Sequence, residues 1–108
     1  MSKIIVRQMK SGDIIRAAGI HKEITKEGTG RDEGYSIKGL LTASVSHPGK
    51  TCMVAEKDGA VVGFIVGEIR EWSFGAERTG WIEIVGVDQK HMGRGIGHML
   101  GEAIVDSF

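Results

Sequence analysis

The stretch "WIEIVGVDQKHMGRGIGHMLGEAIVDSF" is a run of β-branched and aromatic residues, then a turn with glycines at positions 93, 95 and 97, then an apolar pattern at helical spacing. A strand that passes through a glycine-rich turn straight into a helix leaves few folds open. Ile96, Met99, Leu100, Ala103, Ile104 and Phe108 fall on one helical face, and that face has to be covered. A sheet containing the preceding strand is the nearest cover.

The rest of the chain supplies such a sheet. "KIIVRQM" reads as a first strand, closed by the polar "KSGD". Ser11 and Asp13 are placed to cap a helix carrying Ile14, Ala17, Ala18 and Ile24, which Gly19 weakens. "TKEGTGRDEG" reads as a loop, and Ile37, Leu40, Leu41 and Val45 mark a second helix that ends before Pro48. "TCMVAEK" and "AVVGFIVGEIREW" are strand-like and are joined by Asp58-Gly59, a strong hairpin signal. With "GWIEIVGV" beyond the turn-rich "SFGAERTG", three strands form a meander. The order β-α-α-β-β-β-α makes residues 1–108 a single α+β domain with a mixed, mostly antiparallel sheet flanked by helices.

Composition bounds what the domain meets. Lys+Arg and Asp+Glu both number 14, so no overall positive field draws it to nucleic acid. An anion has to be caught locally. No run is long enough to span a bilayer, and the single cysteine, Cys52, excludes an internal disulfide. Both point to the cytoplasm. The four histidines are scattered and Cys52 has no partner, so no metal site is expected; Cys52 reads as a small core residue. Trp72, Trp81 and Phe64 read as aromatics packed on the sheet.

The glycine turn is the place to catch an anion. A helix start leaves four backbone N–H groups unpaired and carries a partial positive charge. Without Cβ atoms at Gly93, Gly95 and Gly97 the main chain can close around a phosphate, and Arg94 adds a charged donor. Three patterns compete for it. Gly95 to Gly101 superficially fits a dinucleotide turn, but no second parallel strand or acidic residue about 20 positions on follows. "PGKT" at residues 48–51 has the ending of a P-loop, yet Ser44 stands where its first glycine belongs and a strand follows.

The third pattern fits. "IEIVGVDQKHMGRGIGHML" resembles the acetyl-CoA signature of the GNAT superfamily of N-acetyltransferases, in which a strand runs into V-x-P and then R/Q-x-x-G-x-G/A opens a helix. The element order is similar to the first two-thirds of that fold, which makes residues 1–108 a partial domain. The resemblance implies an enzyme that transfers the acetyl group of acetyl-CoA to a primary amine by direct attack. It implies that the amides from Gly93 through His98, with Met92 at the entrance, hold the pyrophosphate. It also implies that Val85, Gly86 and Val87 pair with the pantetheine arm as a strand edge pairs with another strand, with a bulge there that Gly86 tolerates. Gln89 stands where proline is usual and Met92 where Arg or Gln is usual, so weakened coenzyme binding is expected.

Acyl transfer also needs an oxyanion donor and a base. An amide near Val85–Val87 serves the first role. Glu83, at the same parity as Val85 and Val87, is the candidate base; its other reading is a solvent-facing strand carboxylate. Glu68 and Glu71 rank below it. The further strand and the helix that often carries a tyrosine acid in this superfamily do not follow Phe108, so the 108-residue form is expected to lack part of the machinery. The resulting open sheet edge is expected to favour self-association. A rival reading is a non-catalytic acyl-CoA-binding or sensor module. The acceptor, a small-molecule or protein amine, is not legible.

Overall fold

The computed structural model describes residues 3–25, 37–71 and 78–107. Its centre is the hairpin of β2 (Lys50–Lys57) and β3 (Ala60–Glu71). Asp58 and Gly59 both take positive φ, 52° and 82°, the combination that a two-residue turn needs to follow the twist of its strands. β1 (Ile4–Gln8) pairs with β2, and β4 (Arg78–Val87) pairs with β3, giving the order β1-β2-β3-β4 with every pairing antiparallel. β4 begins two residues earlier than the aromatic pattern indicates, at Arg78. The loop expected after Thr25, the turn before Arg78, Trp72 and Phe108 lie outside the described residues, as do the side chains of Ile24 and Glu71.

Helices cover both faces. α1 (Ile14–Thr25) and α2 (Ile37–Val45) bury Ile14, Ala17, Ile20 and Leu41 against Cys52, Val54, Phe64 and Val66. α3 (Ile96–Ser107) lays Ile96, Leu100 and Ile104 on Ala55, Val62 and Ile65. The even residues of the middle of β3 thus face α1 and α2 and the odd ones face α3, as a period of two requires. The alternation breaks twice. Val62 is an extra residue opposite the Ala55–Glu56 step, and Glu83 is an extra residue opposite Val66–Gly67. The first bulge turns both Val62 and Gly63 toward α3.

Two local expectations change. Ser11 does not cap α1. A one-turn 3-10 helix, Ser11–Asp13, precedes α1, and the Asp13 carboxylate accepts from the Lys10 amide at 2.8 Å. Asp13 also receives Nη1 and Nη2 of Arg7 at 2.8 and 3.1 Å, and the Arg7 guanidinium holds its carboxyl below the usual range. Trp81 is less covered than Phe64: it is 44% exposed on the edge strand, while Phe64 is fully buried.

Candidate active site

The end of β4, the turn after it and the start of α3 enclose a cleft of about 370 Å³. It is lined by Val85, Gly86 and Val87 on one side and by His91, Met92, Gly93, Gly95, Ile96 and Gly97 on the other. None of these side chains is acidic, so nothing in the lining repels an anion. β4 pairs only with β3 among the described residues, which leaves its outer edge open beside the cleft. Val85 is 49% exposed there.

The glycines have different reasons. Gly93 and Gly95 take φ of 80° and 81°, a backbone that a side chain makes costly. Gly97 lies within the first turn of α3, and an added Cβ would sit 3.9 Å from Val87 Cγ2. Gly95 O accepts from Met99 N at 3.0 Å, so Gly95 is the cap, and the amides of Ile96, Gly97 and His98 have no acceptor within their own helix. Of the residues singled out in the sequence, Arg94 and His98 are outside the cleft lining. Arg94 is exposed; His98 points away on α3, with Nε2 3.3 Å from Glu102 Oε2.

Two residues without a sequence signal hold this turn. Asp88 is 8% exposed, and its amide donates to Val62 O at 2.8 Å. Its carboxylate accepts from Lys90 N at 2.9 Å and from Arg16 Nη2 at 2.6 Å. Arg16, on α1, also donates from Nε to Val61 O at 3.1 Å. The carbonyls of the neighbouring Val61 and Val62 therefore anchor α1 and the turn after β4 to β3 together. The Lys90 amide and then the Arg16 guanidinium hold the Asp88 carboxyl below its usual range against the opposing effect of burial. His91 Nδ1 is buried without a hydrogen bond, 3.8 Å from Asp88 Oδ2, while its ring lines the cleft.

This anchor carries a prediction. Asp88→Asn should cost about 2 kcal/mol at neutral pH, since it weakens a charged hydrogen bond to Arg16. The folded value of Asp88 lies below the unfolded one, so its contribution is present above the ordinary carboxylate range. It is lost as pH falls through the lowered value. Denaturant unfolding of wild type and variant should converge on acidification; a constant gap down to pH about 2 would contradict the assignment.

The bulge relocates Glu83. It lies at Glu83 and not at Gly86, so the expected shared parity of Glu83 with Val85 and Val87 does not hold. Val87 packs toward α3, whereas Ile84 packs on the α1–α2 side. Glu83 Oε1 meets Lys50 Nζ at 3.2 Å, and Lys50 is in register on the strand whose Cys52 and Val54 face that same side. Glu68 stands opposite Trp81 and Lys50. Cys52 is buried, and burial pushes its thiol up. Among the described residues no group of three or more His, Cys, Asp or Glu side chains is placed to hold a metal ion.

A four-stranded antiparallel sheet whose last strand feeds a left-handed glycine turn beneath a sheet-covering helix is the frame of an acetyltransferase. The chain belongs to the acetyltransferase (GNAT) family, whose model matches residues 17–108, and acyl transfer is the chemistry of that family. A Bacillus halodurans protein superposes with a TM-score of 0.80 at 19% identity over 95% of this chain and 73% of its own. A ribosomal-protein-alanine N-acetyltransferase from Brucella melitensis biovar Abortus gives 0.73 at 20% identity, over 96% and 70%. An aminoglycoside acetyltransferase from an uncultured soil metagenomic sample, in complex with sisomicin, gives 0.75 at 17%, over 95% and 68%. No curated protein matches the chain in sequence.

Proposed function

We propose that the chain is an acetyl-CoA-dependent N-acetyltransferase that acts on a primary amine by direct attack. The observation that carries this reading is the cleft itself. Two left-handed glycines and the first turn of α3 line the space beside the outer edge of β4, and no carboxylate is among the lining residues. Met92 and the amides of Gly93 through His98 hold the pyrophosphate, with Arg94 supplying charge from the rim. The backbone of Val85, Gly86 and Val87 holds the pantetheine arm and offers a donor to the thioester oxygen. The buried Cys52, its thiol pushed up by burial, is unsuited to carry an acyl intermediate, which favours direct transfer.

Glu83 is the base on the α1–α2 side of the sheet, where the acceptor amine enters. The acceptor is a small-molecule or protein amine; the metagenomic neighbour's complex with sisomicin supports an amine-bearing ligand on this fold. The cytoplasm is the compartment, supported by a free cysteine and by the absence, among the described residues, of a helix long and apolar enough to cross a membrane. The exposed Trp81 and Ile82 on the outer strand, before the stretch read as holding the pantetheine arm, support pairing of two copies along that part of the edge. One observation favours the rival reading of a non-catalytic acyl-CoA-binding module: Glu83 is tied to Lys50 and so is not free to act on an acceptor.

Isothermal titration with acetyl-CoA decides whether the cleft is a coenzyme site. Saturable heat in the micromolar to millimolar range, competed by CoA, is expected. A flat titration at millimolar acetyl-CoA would remove the proposal's foundation.

A further inference from the structure

The ammonium of Lys50 already contacts the carboxylate that the proposed mechanism uses as its base. Its Nζ lies 3.2 Å from Oε1 of Glu83, and the two side chains are only 17% and 23% exposed. Lys50 is fixed by its own backbone. Its amide donates to His47 O at 3.1 Å, closing the Pro48–Gly49 turn, while Ile69 N donates to Gly49 O. The start of β2 is thus pinned, and the lysine reaches across β3 to the bulge in β4. Without the extra residue at position 83 the carboxylate would turn to the other face, away from Lys50. A strand rises about 3.3 Å per residue, so Glu83 sits roughly 7 Å along the chain from Val85, where the coenzyme arm is read to pass.

We propose that Lys50 is an acetyl acceptor within the same chain, modified from acetyl-CoA bound in the cleft with Glu83 as base. The proposal rests on the coenzyme reading above. In the step, the Lys50 ammonium gives one proton to the Glu83 carboxylate and the neutral amine attacks the thioester carbonyl carbon. The C–N bond forms, the C–S bond breaks, and CoA leaves as a thiolate that takes up the proton from Glu83. The second ammonium proton is lost to solvent. The product is a neutral amide at Lys50 and free CoA.

This modification changes the site. Acetylated Lys50 carries no charge and cannot pair with Glu83, so the carboxylate is released for an external amine. A chain that is latent when unmodified then becomes competent by consuming one equivalent of its own substrate.

The test uses the chain with acetyl-CoA, followed by intact mass and peptide mapping. One added acetyl group is expected, located on Lys50. Its fractional rate is expected to be independent of protein concentration, as an intramolecular reaction requires. Glu83→Gln should slow it by about 100-fold, the usual contribution of a positioned base. Acetyl-CoA that binds by calorimetry but leaves Lys50 unmodified would overturn the inference and leave the coenzyme site standing. So would acetyl groups spread over the exposed Lys22, Lys38 and Lys90 with no preference for Lys50, or an undiminished rate in Glu83→Gln. Absence of binding would overturn both.

Discussion

Gly95→Asp is expected to abolish measurable acetyl-CoA binding. Gly95 holds φ at 81° and caps α3 with its carbonyl, so a side chain there must accept a left-handed backbone. Aspartate accepts that conformation more readily than most residues, at about 1 kcal/mol. The larger effect is electrostatic: its carboxylate sits among the amides that would receive the pyrophosphate. Loss of those contacts together with like-charge repulsion amounts to about 3 kcal/mol or more, at least a hundredfold in affinity. Gly95→Asn separates the two contributions, because it shares the shape without the charge and should lose only about tenfold. Titration calorimetry on both variants reads this directly. An aspartate variant that binds within threefold of wild type would exclude the glycine turn as the phosphate cradle.

The glycine turn was open to sequence reading because its signal is local. A strand, a turn with glycines two apart and a helix stripe are all written within residues 81–107, and the structure keeps that order. The Asp58–Gly59 hairpin is legible for the same reason, as is the alternation that divides Val54, Phe64 and Val66 from Ala55 and Ile65. What escaped is set between strands. A bulge adds one residue against a partner, and nothing in "WIEIVGV" says which residue is extra until β3 is laid beside it. Placing the distortion at Gly86 by backbone permissiveness misjudged the parity of Glu83 and concealed its meeting with Lys50.

The Arg16–Asp88 pair was invisible for a similar reason. The two lie 72 residues apart, and each alone reads as an ordinary surface charge. Asp88 sits in the signature segment but does not face the cleft; it turns inward to bind the Lys90 amide and Arg16. His91 has a weaker but readable cue, since it falls inside the turn whose other members line the cleft. The aromatic reading overstated the cover over Trp81, because exposure at an edge strand depends on what lies beside it, and the helix pattern passed over Ile20, which is fully buried on α1.

Gly63→Val should destabilise the fold by about 2–3 kcal/mol and lower Tm by roughly 10 °C, the range for an overpacked core in a domain of this size. The bulge at Val62 turns Gly63 toward α3, where a Cβ would lie 3.2 Å from Gly86 O, Ile96 Cγ2 and Leu100 Cδ1. The two side chains can give way, but the carbonyl belongs to a paired strand and cannot. α3 must therefore lift at its first turn, where Ile96 and Gly97 line the cleft, so coenzyme affinity should fall along with stability. A double-mutant cycle identifies the contact. Leu100→Ala alone costs about 2–5 kcal/mol through its cavity. In combination with Gly63→Val it should cost less than the sum by about 1 kcal/mol, because the valine fills space that the leucine vacates. Thermal and urea unfolding of the four chains reads the coupling. Strict additivity, with acetyl-CoA affinity unchanged in Gly63→Val, would mean that α3 does not depend on Gly63 for its seat on β3.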